Sequence, residues 1–284
     1  MSVRSKLGDI RRGLIGGLYS RRMPLQGRGP IVSFTFDDFP HSAYATGGAI
    51  LKSFGVRGTY YAAMGLMDQS NTLGTQFCRD DLERLLKDGH ELASHTFSHV
   101  SCRSVSAEAF AHDVDEGREA IQALCGQPDS GNFAFPFGDV SLGARKMISS
   151  RVKSCRTTWH GLNGPGVNLS FLRANSLYGD DDKAHQAQKL IVENEVRQSW
   201  LIFYTHDVRP DHSQFGCSPS LFESVVSFAA RREARIMTVA KVIAELHGCT
   251  IPSVAATNLA DSLGVGGHEH LDSPRVETQQ CSAS

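Results

Sequence analysis

Two hydrophobic rhythms alternate along this chain. Ile31-Val32-Ser33-Phe34-Thr35-Phe36 is a β-branched and aromatic run that stops on Asp37-Asp38. Such a run predicts a strand covered on both faces, with its acids at the exposed end. Glu91-Leu92-Ala93-Ser94 is shorter and leads to His95 and His99, and Leu201-Ile202-Phe203-Tyr204-Thr205 leads to His206-Asp207. Between these runs the period changes. Asp81 to Gly89 has the acidic start and glycine stop of a short helix. Ser106 opens a longer one, whose apolar face is Phe110, Val114, Ile121 and Leu124 and which ends at Gly126 and Pro128. Ser218-Pro219 is an N-cap followed by proline at the first helical position. Ile236-Met237-Thr238-Val239 reads as a last strand. From Thr250 onward the periodicity dissolves, which predicts a mobile tail over 249–284. Alternating strands and helices call for a parallel sheet with functional residues at the strand C-termini.

Composition narrows the class. With 284 residues and 40% hydrophobic content the chain can bury a large core. Its net charge of -1 gives no support for nucleic-acid binding through phosphate neutralisation. Seven cysteines, an odd number without a C-x-x-C pair, suit a reducing compartment and predict a cytoplasmic location. Residues 1–28 form a basic leader with Arg4, Lys6, Arg11, Arg12, Arg21, Arg22 and Arg28. Its apolar stretch, Leu14 to Tyr19, is too short and glycine-rich for a signal-peptide core. No run approaches the ~18–20 apolar residues of a membrane span, although the basic N-terminus leaves weak contact with a membrane surface open.

The strand-end residues suggest one metal site. His95 and His99 share a face if the turn between them is helical. Two histidines and a carboxylate with an open fourth position are a catalytic zinc arrangement, whereas structural zinc sites are closed and usually cysteine-rich. Alternation sends Asp37 and Asp38 in different directions, so one can ligate while the other takes a proton from water.

These segments resemble the polysaccharide deacetylases of the NodB-homology type, carbohydrate esterase family 4. Thr35-Phe36-Asp37-Asp38 is similar to the first motif of that family and Ser94-His95-Thr96-Phe97-Ser98-His99 to the second. Phe133 to Gly138, with Pro136, falls where the third belongs, and Leu201 to Asp207 resembles the last. Gly55 to Tyr61 resembles the second strand of these domains. The resemblance runs over roughly 29–248, and four ordered motifs are far more specific than one.

The resemblance implies an irregular (β/α)7-8 barrel and a hydrolase that removes N-acetyl groups from an amino-sugar-containing glycan or glycoconjugate. It implies Asp37 as base, His206 as acid, Asp38, His95 and His99 as ligands of a divalent metal such as zinc, and Pro136 and Phe137 at the oxyanion. Two departures stand out. The family commonly carries an arginine two residues before the motif proline, where this chain has Ala134, and no Asp-x-x-Asp-Trp precedes the last motif, only Thr157-Thr158-Trp159-His160. Arg173 is the candidate to orient the base in place of the missing arginine. Trp159 is a candidate sugar-stacking surface. Two alternatives remain: hydrolysis of a non-sugar C–N bond, and a catalytically weak carbohydrate-binding relative.

Overall fold

The run Ile31–Asp38 forms strand β1, and all eight of its residues are buried. In this computed structural model, which describes residues 19–126 and 128–248, seven further strands join it: β2 Thr59–Ala62, β3 Glu91–Ser94, β4 Asn132–Ala134, β5 Ser154–Arg156, β6 Asn175–Ser176, β7 Trp200–Thr205 and β8 Arg235–Ile236. Every pairing is parallel, in the order β6-β7-β1-β2-β3-β4-β5. β7 runs along one side of β1, while β8 and then β2 share the other side. Full coverage on both faces is why β1 shows no polar alternation.

The helices between these strands are α1 Ala49–Ser53, α2 Arg79–Lys87, α3 Ala107–Cys125, α4 Leu142–Ile148, α5 Ala184–Arg197, α6 Pro219–Ala230 and α7 Val239–Leu246. Their ends follow local chemistry. Ser106 Oγ accepts from Ala109 N–H at the start of α3, and Gly126 closes it with a left-handed backbone. Ser218 caps α6 ahead of Pro219. The last strand is shorter than Ile236 to Val239 would suggest, because Thr238 Oγ1 accepts from Lys241 N–H and starts α7 instead. The capping hydroxyl and the spacing of Val239, Val242, Ile243 and Leu246 outweigh the β-branched run.

The sheet curls into an irregular barrel, as expected, but a regular strand does not close it. Thr157 N–H donates to Leu172 O (2.9 Å) and Leu172 N–H to Cys155 O (2.8 Å), while farther on Leu177 N–H donates to Tyr204 O (2.8 Å). One bent segment around 169–177 therefore bridges β5 to β7. Residues 22–24 also pair, antiparallel, with 166–168, so part of the basic leader belongs to this body. The rest of the basic leader, on which the membrane-contact reading largely falls, and the expected 249–284 tail lie outside the described residues.

Inside the barrel, the first residues of four adjacent strands carry a hydrogen-bonded polar chain. Thr59 Oγ1 donates to Glu91 Oε2 (2.8 Å), Asn132 Nδ2 to Glu91 Oε1 (2.7 Å) and Ser154 Oγ to Asn132 Oδ1 (2.8 Å). Ala240 N–H at the start of α7 also donates to Glu91 Oε2 (2.7 Å), so the buried carboxylate fastens α7 across the N-terminal mouth. Above it, Ile31, Trp200, Ile202, Val239 and Ile243 share a core cluster. No described helix is long and apolar enough to cross a membrane.

Candidate metal centre

Asp38 ends β1 and His95 follows β3, two strands away, while the loop after β3 returns to bring His99 beside them. The ligand-type atoms of these three residues lie within 4.8 Å of one another. The connection between the histidines is not the helical turn considered from spacing. It is a bend in which Thr96 (φ 68°) and His99 (φ 53°) are left-handed, and it brings the rings to 5.1 Å between centroids. α3 holds this bend: Phe97 N–H donates to Asp113 O (3.0 Å) and Ser98 Oγ to Asp113 Oδ1 (2.7 Å). Gly117 lets the helix approach, since a Cβ there would sit 2.6 Å from the Thr96 carbonyl carbon. Asp38, Phe39 and Phe137 are left-handed too (φ 62°, 67° and 58°). Each costs about 1–3 kcal/mol, strain that characteristically gathers at functional sites.

The donor set fits a divalent cation. His95 Nδ1–H donates to Ala134 O (2.9 Å), which leaves Nε2 of the neutral ring as a lone pair facing the centre. That nitrogen lies 3.4 Å, and His99 Nε2 2.9 Å, from Asp38 Oδ1. Asp38 Oδ1 is nonetheless buried without a directional hydrogen bond. Converging lone pairs want a cation, and donors on one tetrahedral zinc would be about 3.3 Å apart. Burial alone would raise the Asp38 carboxyl; hydrogen bonds and charge from His95 and His99, when those rings carry protons, hold it well below the usual carboxylate range, and a bound cation would take their place.

Asp37 has a different neighbour. The Arg156 guanidinium, fully buried at the end of β5, bonds Asp37 Oδ1 through Nη2. It lies between the rings of Tyr61 and Tyr204, 5.1 Å from each centroid. Burial opposes its charge, yet Asp37 keeps its pKa above the ordinary arginine value. This corrects the expectation for Arg173. Arg173 is exposed, because Leu172 and Ala174 on either side of it turn inward, and its Nη1 donates to His160 O (2.9 Å). Arg156 stands directly across from Ala134 in the β4–β5 register. Arg156 thus stands, on the next strand, level with the position where the arginine before the motif proline is missing.

The remaining sequence-derived residues divide. Pro136 is buried and opens a single turn, while Phe137 is 66% exposed with its ring 4.5 Å from His99. Gly138 is required there, as a Cβ would run into Thr158 Oγ1. His206 Nδ1–H donates to Phe215 O (3.1 Å), so a backbone carbonyl orients the ring. Tyr178 and Phe215 flank it at 6.0 and 5.7 Å. Trp159 packs edge-on against Phe171 (4.6 Å) and is half-buried in a core cluster. Outside that set, His41 pairs with Asp81 (2.8 Å) at the start of α2.

The sequence model described as polysaccharide deacetylase matches residues 26–151. Over that stretch the resemblance carried by the first three motifs holds. Arg156 and His206 lie beyond the matched residues. No curated protein matches the chain. Among solved structures, similar ones include the chitin deacetylase from Colletotrichum lindemuthianum, with 18% identity, TM-score 0.53, and 78% of this chain and 88% of that one covered. A family 4 acetyl xylan esterase from Clostridium thermocellum, in complex with a cobalt ion, gives 19%, 0.52, 78% and 93%. The Xyl-CE4 domain of a multidomain xylanase from the hindgut metagenome of Trinervitermes trinervoides gives 18%, 0.51, 78% and 92%. At such identities the likeness establishes the fold.

Proposed function

We propose that this polysaccharide-deacetylase-type chain removes N-acetyl groups from an amino-sugar-containing glycan or glycoconjugate, using a divalent ion, zinc by preference, held by Asp38, His95 and His99. The observation that carries this reading is the separate engagement of the paired acids: Asp38 faces two imidazoles, and Asp37 a buried guanidinium. The ion, when bound, supplies Lewis acidity toward the acyl oxygen and makes water easier to deprotonate. Asp37, aimed by its ion pair with Arg156, accepts the proton of the attacking water. The Phe137 N–H donates toward the acyl oxygen as negative charge develops on it. His206, oriented through Nδ1, delivers a proton from Nε2 to the departing amine. Cys78, Cys102, Cys125, Cys155 and Cys217 are all free thiols, which supports a cytoplasmic setting.

The test is acetate release by protein stripped of metal and reloaded with single divalent ions, on a panel of N-acetylated oligosaccharides, sugar nucleotides, O-acetylated xylan and non-sugar amides. Release from an N-acetylated sugar that returns with metal is the expected result. Release from non-sugar amides alone would transfer the reading to another C–N bond.

A further inference from the structure

A strongly basic cavity of about 540 Å³ lies away from the metal centre, lined by Arg21, Arg22, Arg118, Arg151 and Lys153 with Asp129 as its acid. Val152 and Lys153 lead into β5 and Gly131 into β4. The strands are parallel, so this cavity opens at their N-terminal ends, whereas Asp38 and His95 stand at the C-terminal ends of theirs.

Its charge is only partly answered. Arg118 pairs with Asp129 (3.1 Å) and Arg151 with Asp115 (2.9 Å). Arg21, Arg22 and Lys153 have no carboxylate partner among the described residues, in a chain whose net charge is -1. Arg21 is also held in place: Nε donates to Ser170 Oγ (2.8 Å) and Nη1 to Val152 O (2.8 Å), while Nη2 is buried without a partner. Beside Ser170, Phe171 carries a second guanidinium, that of Arg145, 5.1 Å above its ring. Arg145 is 1% exposed, and none of its three nitrogens has a partner. Burial pushes the Cys155 thiol up to about 12, with Arg21 and Arg145 near enough to oppose it. Unpaired buried guanidinium groups are costly and call for an anion or water.

We propose that this cavity binds the phosphoryl group of a phosphate-bearing ligand. An immobilised arginine fork with a free Nη2, flanked by two unpaired cations, matches phosphate oxygens better than a single-charge carboxylate. The group could belong to a soluble phosphate compound or to an anionic lipid headgroup, and the two sources separate by experiment. The full chain is titrated with inorganic pyrophosphate by calorimetry at low and high salt, and floated with phosphatidylglycerol or phosphatidylcholine vesicles. Arg22→Glu/Lys153→Glu changes two exposed positions outside the catalytic set, so it should fold and release acetate as the wild type does. Expected is salt-sensitive binding that this variant weakens at least tenfold. Pyrophosphate binding without vesicle binding assigns a soluble ligand, and retention on phosphatidylglycerol but not phosphatidylcholine assigns the headgroup. Absence of binding to both, or equal binding by wild type and variant, overturns the proposal.

Discussion

Asp37 and Asp38 are adjacent and both buried, but at the residue scale they are different groups because different cations answer them. Arg156 is the decisive neighbour. Removing it leaves Asp37 buried beside Tyr61 and Tyr204 without a counter-charge, a loss of the order of 3–5 kcal/mol in stability. Arg156→Ala should therefore lower both urea resistance and turnover while metal content stays intact, whereas Arg173→Ala should change neither rate nor metal. The register makes a sharper prediction. Since Ala134 faces Arg156 across β4 and β5, Ala134→Arg combined with Arg156→Ala should recover turnover relative to Arg156→Ala alone. No recovery in a folded double variant would mean that position on β5 matters beyond the charge. The paired acids and the histidines were legible in the sequence because they end apolar runs. Arg156 was not: its strand is three residues long, too short for a period, and a fully buried arginine runs against residue preference.

At the scale of elements, the long helices were legible where a cap and a 3.6-residue face agree, as at Ser106 and Ser218. They were misread where two signals compete, as at Thr238, which reads as strand until its hydroxyl is seen to cap α7. Glu91 ties three strands to that helix, so Glu91→Ala should cost at least ~2 kcal/mol, chemical denaturation being the measure, because Asn132 and the Ala240 N–H lose a buried acceptor. His90, between α2 and β3, gives a pH dependence. Its Nδ1 accepts from Gly58 N–H (3.0 Å), and burial, with Arg57 nearby, lowers its pKa from 6.5 to about 4. The unfolded chain then binds the proton first. Stability from this group is whole above pH 6.5 and fades as pH falls toward 4, by the order of 3 kcal/mol at most. His90→Asn, whose amide oxygen can take the Nδ1 place, should show a smaller loss of urea midpoint between pH 7 and 4.5. An identical loss would assign the acid sensitivity to other groups.

For the whole molecule, the β/α alternation announced a parallel sheet, but its closure was not legible. The bent segment around 169–177 bonds β5 at one end and β7 at the other, through irregular backbone that leaves no periodic signal. Closure is what places Asp37, Tyr61, Arg156 and Tyr204 against one another at the strand C-termini, next to Asp38, His95 and His99. The proposed division of labour at that end has three residues holding metal and a fourth, Asp37, moving a proton. The most direct measurement is bound metal, by elemental analysis, alongside acetate release from an N-acetylated oligosaccharide for the wild type, His95→Ala, Asp37→Asn and Asp38→Asn. His95→Ala and Asp38→Asn should lose metal and activity together, while Asp37→Asn keeps its metal and loses at least ~10²-fold in turnover. Metal retained by Asp38→Asn but lost by Asp37→Asn would contradict the account.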